Sequence, residues 1–76
     1  MIVFYKFFDY IRRRHIRQKD IINGTGISSA TLANMKSNKG ISTETLSKLC
    51  AYLRCNPQDI MEFQEDVTNE ENWYYK

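Results

Sequence analysis

Residues 18–36, QKDIINGTGISSATLANMK, decide the fold. Their apolar members lie at helical spacing on both sides of Gly26: Ile21, Ile22, Ile27, Leu32 and Met35. Glycine adopts the left-handed conformation without a steric penalty, so Gly26 is the expected turn residue between two short helices, at about 18–23 and 29–37. Ser28 is a good N-cap for the second helix. The polar residues of that helix are left on the side away from the core.

This arrangement is the pattern of a helix-turn-helix that binds DNA, in which the second helix enters the major groove. Asn34 is the strongest candidate for base contact, since an amide can pair bidentately with adenine. Ser29 and Thr31 would distinguish bases less selectively, and Ala30 can contact a thymine methyl group. The alternative is that Asn34 is an ordinary solvated helix residue.

Cations flank the same segment. The formal net charge is +2, but residues 1–40 hold eight Lys and Arg against two Asp, whereas residues 41–76 hold three against seven acidic residues. An uneven charge suggests one surface that meets a polyanion, although a solvated mixed surface is the alternative. The predicted phosphate contacts are Arg17, Gln18, Lys19, Ser28, Lys36 and Lys39. Arg12–Arg14 is interpreted as a solvated helix end rather than a phosphate clamp.

Three further helices are expected around this segment. A first helix over about residues 5–15 is indicated by apolar residues at helical spacing: Phe4, Phe7, Phe8 and Ile11. Another, over about 43–54, is indicated by Leu46, Leu49, Cys50 and Leu53. Asn56 and Pro57 then suit the start of a short fifth helix. The sequence therefore predicts an all-α domain of five helices.

The two ends of this domain have strand-like sequences. β-branched and aromatic residues favour a strand at 2–4, and another is expected near 61–64. A short terminal β-ribbon would pair them, either within one chain or between two. Residues 1–63 are too few for a second core and form one domain. Residues 64–76 form an acidic and then aromatic tail that lacks apolar periodicity, which predicts disorder. The alternative is that Trp73, Tyr74 and Tyr75 dock on a dimer partner or a protein ligand.

Metal, redox and catalytic chemistry have little support in the sequence. Cys50 and Cys55 are five residues apart, a helical spacing expected to turn them away from each other and to disfavour a disulfide. With His15 they are too few for zinc. Free thiols fit a reducing cytoplasm. His15 has no nucleophile or paired carboxylate near it, so neither an enzyme nor a cofactor is expected. Lys6 and Asp9 interrupt the apolar start, which is neither a signal peptide nor a membrane span.

Two runs of residues carry a family resemblance: Gln18-x-x-Ile21…Thr25-Gly26-Ile27-Ser28…Leu32 and Thr45-Leu46-x-x-Leu49-Cys50-x-x-Leu53-x-Cys55-x-Pro57-x-Asp59-Ile60-Met61-Glu62. The second run is the more specific, and the resemblance covers about residues 5–63. The chain resembles the small phage-repressor or Cro-like (XRE-type) helix-turn-helix proteins. The resemblance implies a five-helix regulator that binds double-stranded DNA, usually as a homodimer. Three positions depart from the family pattern: Arg17 replaces a capping Ser or Thr, Ile22 replaces the usual alanine where the two helices cross, and His15 stands where glycine is common.

Two functions follow as hypotheses. The first is a sequence-specific transcriptional regulator, a repressor, that reads the major groove with helix 29–37. The alternative is a protein-interaction module, such as an antitoxin-like or anti-repressor partner, whose distinguishing feature is the acidic aromatic tail. The two functions are compatible.

Overall fold

The computed structural model describes residues 1–65 and is mainly helical. In chain order its elements are β1 (Ile2–Val3), α1 (Tyr5–Arg13), α2 (Gln18–Thr25), α3 (Ser29–Lys36), α4 (Thr43–Leu53) and β2 (Glu62–Phe63). This helix-turn-helix architecture agrees with the predicted fold class. The division between a domain at 1–63 and a tail at 64–76 stays a prediction, because residues 66–76 lie outside the described part.

The predicted fifth helix is wrong. Pro57–Asp59 forms one 3-10 turn instead, so residues 1–65 contain four α-helices. The turn is capped by the Asp59 carboxylate, which accepts a hydrogen bond from the backbone N–H of Asn56 at 2.9 Å. The next residue, Ile60, is fully buried and ends the turn at φ −125°. Burying this side chain directs the backbone toward β2 after a single turn, in which the N–H groups of both Ile60 and Met61 donate to the carbonyl of Pro57 at 3.0 Å.

The terminal ribbon closes within one chain. β1 and β2 are antiparallel, with Ile2 opposite Phe63 and Val3 opposite Glu62. Opposed residues of a ribbon point to the same face. Val3 is buried, whereas Ile2 and Phe63 are exposed. The ribbon therefore has one face toward the core and an apolar outer face.

α2 extends two residues beyond its predicted end because Gly24 serves packing rather than termination. The ring of Tyr52, on α4, lies so close that a Cβ at Gly24 would be 2.2 Å from a ring carbon. Gly26 ends the helix instead, at φ 80°, and its N–H donates to the carbonyl of Ile22 at 2.9 Å. The predicted turn residue is thus confirmed, and the other glycine allows α2 and α4 to approach closely.

The turn between α2 and α3 is held by Thr25. Its hydroxyl donates to the carbonyl of Ile21 at 2.6 Å and accepts from the N–H of Ile27 at 3.3 Å. Ile21 is fully buried and Ile27 is nearly so. Both sides of the turn are therefore anchored in the core, which fixes the orientation of α3.

The core takes apolar residues from along the whole described chain: Val3, Phe4, Phe7, Ile11, Ile21, Ile27, Leu32, Met35, Leu49, Leu53 and Ile60. Leu46 and Cys50, which were expected in the buried stripe of α4, are only partly buried against it. Among residues 1–65, no buried side-chain nitrogen or oxygen lacks a hydrogen-bond partner. The helix-turn-helix therefore rests on an apolar core without buried polar groups to satisfy.

Three helices end in the same way, in a left-handed residue that is not glycine. These residues are His15, Asn38 and Arg54, with φ of 57°, 58° and 56°. Each is followed by an N–H that donates to the carbonyl five residues earlier: Ile16 to Ile11, Lys39 to Asn34, and Cys55 to Cys50. This is the Schellman motif, which brings the two bonded residues together at the helix end. The prediction that Cys50 and Cys55 are turned apart is therefore wrong, although both thiols are free.

Candidate nucleic-acid interface

α3 presents a polar face because its apolar residues occupy the opposite one. Leu32 is 2% exposed and Met35 is fully buried. Ser29, Ala30 and Asn34 are exposed, and helical spacing places them on the side away from those two anchors. Three of the four predicted base contacts therefore share one open face.

Thr31, the fourth predicted base contact, is only half-buried but is engaged in the helix cap. The Oγ of Ser28 accepts from the backbone N–H of Thr31 at 3.1 Å, and the two hydroxyls are also 3.1 Å apart. Satisfying the first N–H groups of a helix in this way stabilises it. The hydroxyls of Ser28 and Thr31 thus have a structural partner in each other.

Two further residues of the open face were missed by the sequence analysis. Ala33 and Ser37 are both exposed. Ala33 follows Ala30 by three residues, and Ser37 follows Asn34 by three, so both continue the row that Ala30 begins. Extending the helical period from Ala30 would have found them.

The C-terminal end of α3 brings two predicted contacts together. The N–H of Lys39 donates to the carbonyl of Asn34 at 2.8 Å, within the Schellman motif that Asn38 makes. A predicted phosphate contact is therefore adjacent to the predicted adenine contact. Asn38 was not predicted to have a role, yet its Oδ1 accepts from the N–H of Phe4 at 3.1 Å. This bond joins the end of α3 to the chain that leaves β1.

The other predicted phosphate contacts lie at two places. Arg17, Gln18 and Lys19 are exposed at the start of α2, where the Asp20 carboxylate accepts from the N–H of Arg17 at 3.0 Å. Asp20 therefore caps α2 in place of the missing Ser or Thr. Lys36 is exposed near the end of α3, and it borders one shallow groove together with Gln18. The fold thus brings the start of α2 close to the end of α3.

The cations differ in their intramolecular partners. Arg12 and Arg13 both pair with Asp9, at 2.6 and 2.8 Å, and the guanidinium of Arg14 lies 3.9 Å from the centre of the Tyr10 ring. Within residues 1–65, the predicted phosphate contacts Arg17, Lys19, Lys36 and Lys39 pair with no carboxylate. This contrast supports the interpretation of Arg12 and Arg13 as a helix end. It does not extend to Arg14, because the Lys36 ammonium likewise lies over a ring, 5.9 Å from the centre of Phe8.

The described residues offer little for other chemistry. No group of three or more His, Cys, Asp or Glu side chains in residues 1–65 is arranged to hold a metal ion. None of the helices in that range is long and apolar enough to cross a membrane.

A family model for the Cro/C1-type helix-turn-helix DNA-binding domain matches residues 9–66. The chain belongs to this family. It is a DNA-binding regulator of the helix-turn-helix type, a class that is not generally enzymatic. No curated protein matches the chain.

A solved structure, that of the transcriptional regulator VanUg (Form II), is similar in fold. It is 25% identical in sequence, with a TM-score of 0.79, and the match covers 86% of this chain and 87% of that one. The XRE-type resemblance inferred from the two sequence runs is therefore confirmed.

Proposed function

We propose that the protein represses transcription by binding a specific double-stranded DNA site as a homodimer, with α3 in the major groove. The observation that carries the proposal is the open polar face of α3 in a chain of a DNA-binding family. Ser29, Ala30, Thr31 and Asn34 would contact bases. The phosphate contacts would be Arg17, Gln18, Lys19, Ser28, Lys36 and Lys39. Repression requires only that the protein occupy a promoter, and the expected place of action is the cytoplasm.

Specificity in this proposal centres on Asn34. Its amide is exposed and makes no hydrogen bond to another side chain of residues 1–65. It is therefore available for two bonds to adenine, and one such pair discriminates against other bases by about 1–3 kcal/mol. The Schellman motif holds the backbone of Lys39 beside Asn34, and its ammonium would bind the neighbouring phosphate.

The homodimer would form through the outer face of the ribbon. Four of the five exposed large apolar residues in the described chain lie at or next to it: Met1, Ile2, Tyr5 and Phe63. A concentrated apolar patch on a small protein is typical of an interaction surface. A two-fold axis through this face would pair the patch with itself. The Lys6 ammonium and the Glu62 carboxylate, 3.6 Å apart, lie at the rim of the patch. The rim would therefore carry both charge signs, so two copies would not repel each other.

The position of the ribbon suits a two-fold DNA site. The Phe4–Asn38 hydrogen bond attaches it to the end of α3. From Asn38 to the middle of α3 is about 8 Å at the helical rise. The distance from Phe4 to Ile2 along the strand, added to half the spacing of two packed sheets, gives about 12 Å from Phe4 to the two-fold axis. The Asn38–Phe4 bond adds about 7 Å between the two Cα atoms. Two copies of α3 would then lie at most about 54 Å apart, a limit that accommodates the 34–36 Å between successive major grooves.

The protein-interaction alternative rests on residues 64–76, of which the structure describes only two. No structural observation favours it as a separate function, and it stays compatible with DNA binding.

Selection of bound sites from a random DNA pool, with the full chain, tests the proposal. We expect one symmetric motif made of two half-sites whose centres are about 10 base pairs apart. An adenine should be preferred at one position of each half-site. Recovery of sequences without any shared motif would contradict specific binding, and a single unrepeated half-site would contradict the homodimer.

A further inference from the structure

The end of α4 places two thiols side by side. α4 ends at Leu53, and Arg54 is left-handed, so the chain reverses within one residue. The N–H of Cys55 then donates to the carbonyl of Cys50 at 3.1 Å. With standard bond lengths, that hydrogen bond limits the separation of the two Cα atoms to about 7 Å. Disulfides in proteins join Cα atoms that are mostly about 4.4–6.8 Å apart.

The two thiols are free, in contact and accessible. Burial raises the pKa of Cys55, Cys50 is close enough to raise it further, and neither thiol is fully buried. Both line one open groove on the surface, together with Leu46, Ala51 and Pro57. A small molecule can therefore approach either sulfur without unfolding the helix.

We propose that Cys50 and Cys55 form a dithiol site that is modified as a pair, by exchange with a small-molecule disulfide of the glutathione class. The thiolate of one cysteine attacks one sulfur of the small molecule, the S–S bond breaks, and the other half leaves as a thiolate that takes up a proton. The second cysteine then attacks the mixed disulfide and releases the second thiol. The protein loses two electrons and two protons and gains one S–S bond, while the small-molecule disulfide is reduced to two thiols.

The product is a ring across the end of α4. It would tie the last turn of that helix to the segment that leads through the 3-10 turn to β2. The site lies on α4 rather than α3, so the inference does not depend on DNA binding.

The reactivity of the pair should depend strongly on pH. Burial first, and then the neighbouring Cys50, raises the pKa of Cys55 to about 11. Only thiolates attack disulfides, so at neutral pH this sulfur is mostly in the unreactive thiol form. Exchange is therefore expected to be slow near pH 7 and to accelerate as the pH rises.

The test uses the full chain in glutathione buffers of increasing oxidised fraction at pH 8. Samples are quenched with acid, alkylated and weighed by mass spectrometry. We expect the main oxidised species to be lighter than the reduced protein by two hydrogen atoms and to resist alkylation at both cysteines. Because the second thiol acts at a high effective concentration, the mixed disulfide should stay about tenfold less abundant.

Two pairs of variants test whether both cysteines, and the left-handed cap between them, are needed for the ring. Cys50→Ser and Cys55→Ser, checked for helix content by circular dichroism, should each form only the mixed disulfide. Arg54→Gly keeps the left-handed cap and should still form the ring, whereas Arg54→Val disfavours that backbone and should reduce the ring yield.

Unfolding the wild-type chain gives a test that needs no variant. In urea the ratio of ring to mixed disulfide should fall several-fold, because the cap no longer holds the thiols together. The proposal would be overturned if the wild type formed mixed disulfides at both cysteines without a ring. A ring yield unchanged in urea would overturn it equally, since the folded cap would then contribute nothing.

Discussion

Individual side chains on α3, the proposed DNA-binding helix, are used by the fold to different extents. Asn34 and Ser29 are exposed, whereas Thr31 shares its hydroxyl with Ser28 at the helix cap. The sequence predicted exposure well here, because Leu32 and Met35 define the buried side unambiguously. It did not predict which polar groups would be occupied by capping, since this depends on a hydrogen bond of 3.1 Å rather than on periodicity.

Left-handed residues were the main feature that the sequence did not disclose. Glycine favours such a conformation, so the left-handed turn at Gly26 was predicted correctly. His15, Asn38 and Arg54 adopt the same conformation without being glycine. Their backbone is fixed by the hydrogen bonds of the helix ends, and after His15 also by the partial burial of Ile16. The resemblance gave one hint, because glycine is common in the family at the position of His15.

Replacing His15 with glycine is expected to stabilise the protein. A left-handed residue with a side chain is less favourable than glycine by about 1–2 kcal/mol, and the greater entropy of glycine in the unfolded chain offsets part of the gain. We therefore expect His15→Gly to raise the free energy of unfolding by about 0.5–1 kcal/mol. Urea denaturation followed by circular dichroism measures this directly.

The control for that measurement is a glycine at an ordinary helical position. Ala51→Gly, on the exposed side of α4, should lower the free energy of unfolding by about 1 kcal/mol. If His15→Gly destabilised the protein to the same degree, the left-handed conformation of His15 would not be a source of strain.

At the scale of elements, the predicted helix ends were right where one side of a helix is apolar. They were wrong where contacts between distant parts of the chain determine the end. α1, α3 and α4 end within about one or two residues of their predicted positions. α2 is longer because Tyr52 packs on Gly24, and the segment after Pro57 is shorter because Ile60 enters the core. Neither contact is visible in local sequence. The ribbon was expected from strand-like ends, but its closure within one chain required the structure.

The ribbon is held at its rim by Glu62. The hydroxyl of Tyr5 donates to the Glu62 carboxylate at 2.7 Å, and the Lys6 ammonium lies 3.6 Å from it. The hydrogen bond from Tyr5, then one from Gln64, together with nearby Lys6, lowers the pKa of Glu62 from its ordinary value of 4.5. Ionised Glu62 therefore fastens β2 to the start of α1.

Acid is expected to loosen the ribbon. A carboxylate whose pKa is lower in the folded state contributes stability above its unfolded pKa and loses that contribution as the pH falls through the folded value. Below about pH 4.5, the protection of the paired β1 and β2 amides should fall, as NMR would show once exchange rates are corrected for the intrinsic pH dependence of amide exchange.

Glu62→Gln should abolish most of that pH dependence while Tyr5 keeps a neutral acceptor. Glu65→Gln is the matched control, because Glu65 is exposed and forms no hydrogen bond or ion pair within residues 1–65. Equal pH dependence in the wild type and in Glu62→Gln would show that this carboxylate does not hold the ribbon.

At the scale of the whole molecule, both the charge distribution and the small size of the chain agree with the proposed DNA-binding dimer. The excess of cations lies in residues 1–40, which contain the helix-turn-helix, and the acidic excess follows it. Ion pairs within α1 reduce the free positive charge. In the proposed complex, the phosphates would therefore be bound mainly by the start of α2 and the end of α3. A chain of 76 residues buries a modest core, and a dimer interface at the ribbon would add both stability and a second α3.

The central claim, that α3 reads DNA, is tested most directly by comparing Asn34→Ala with Lys36→Ala in gel-shift titrations over a range of salt. Asn34→Ala should lose about 1–3 kcal/mol of discrimination at one base pair of each half-site. Lys36→Ala should weaken binding to all sequences alike and reduce the salt slope by about one per protomer, whereas Lys48→Ala, on α4, should change neither. The account would be contradicted if Asn34→Ala kept the full sequence preference and Lys36→Ala kept the full salt slope.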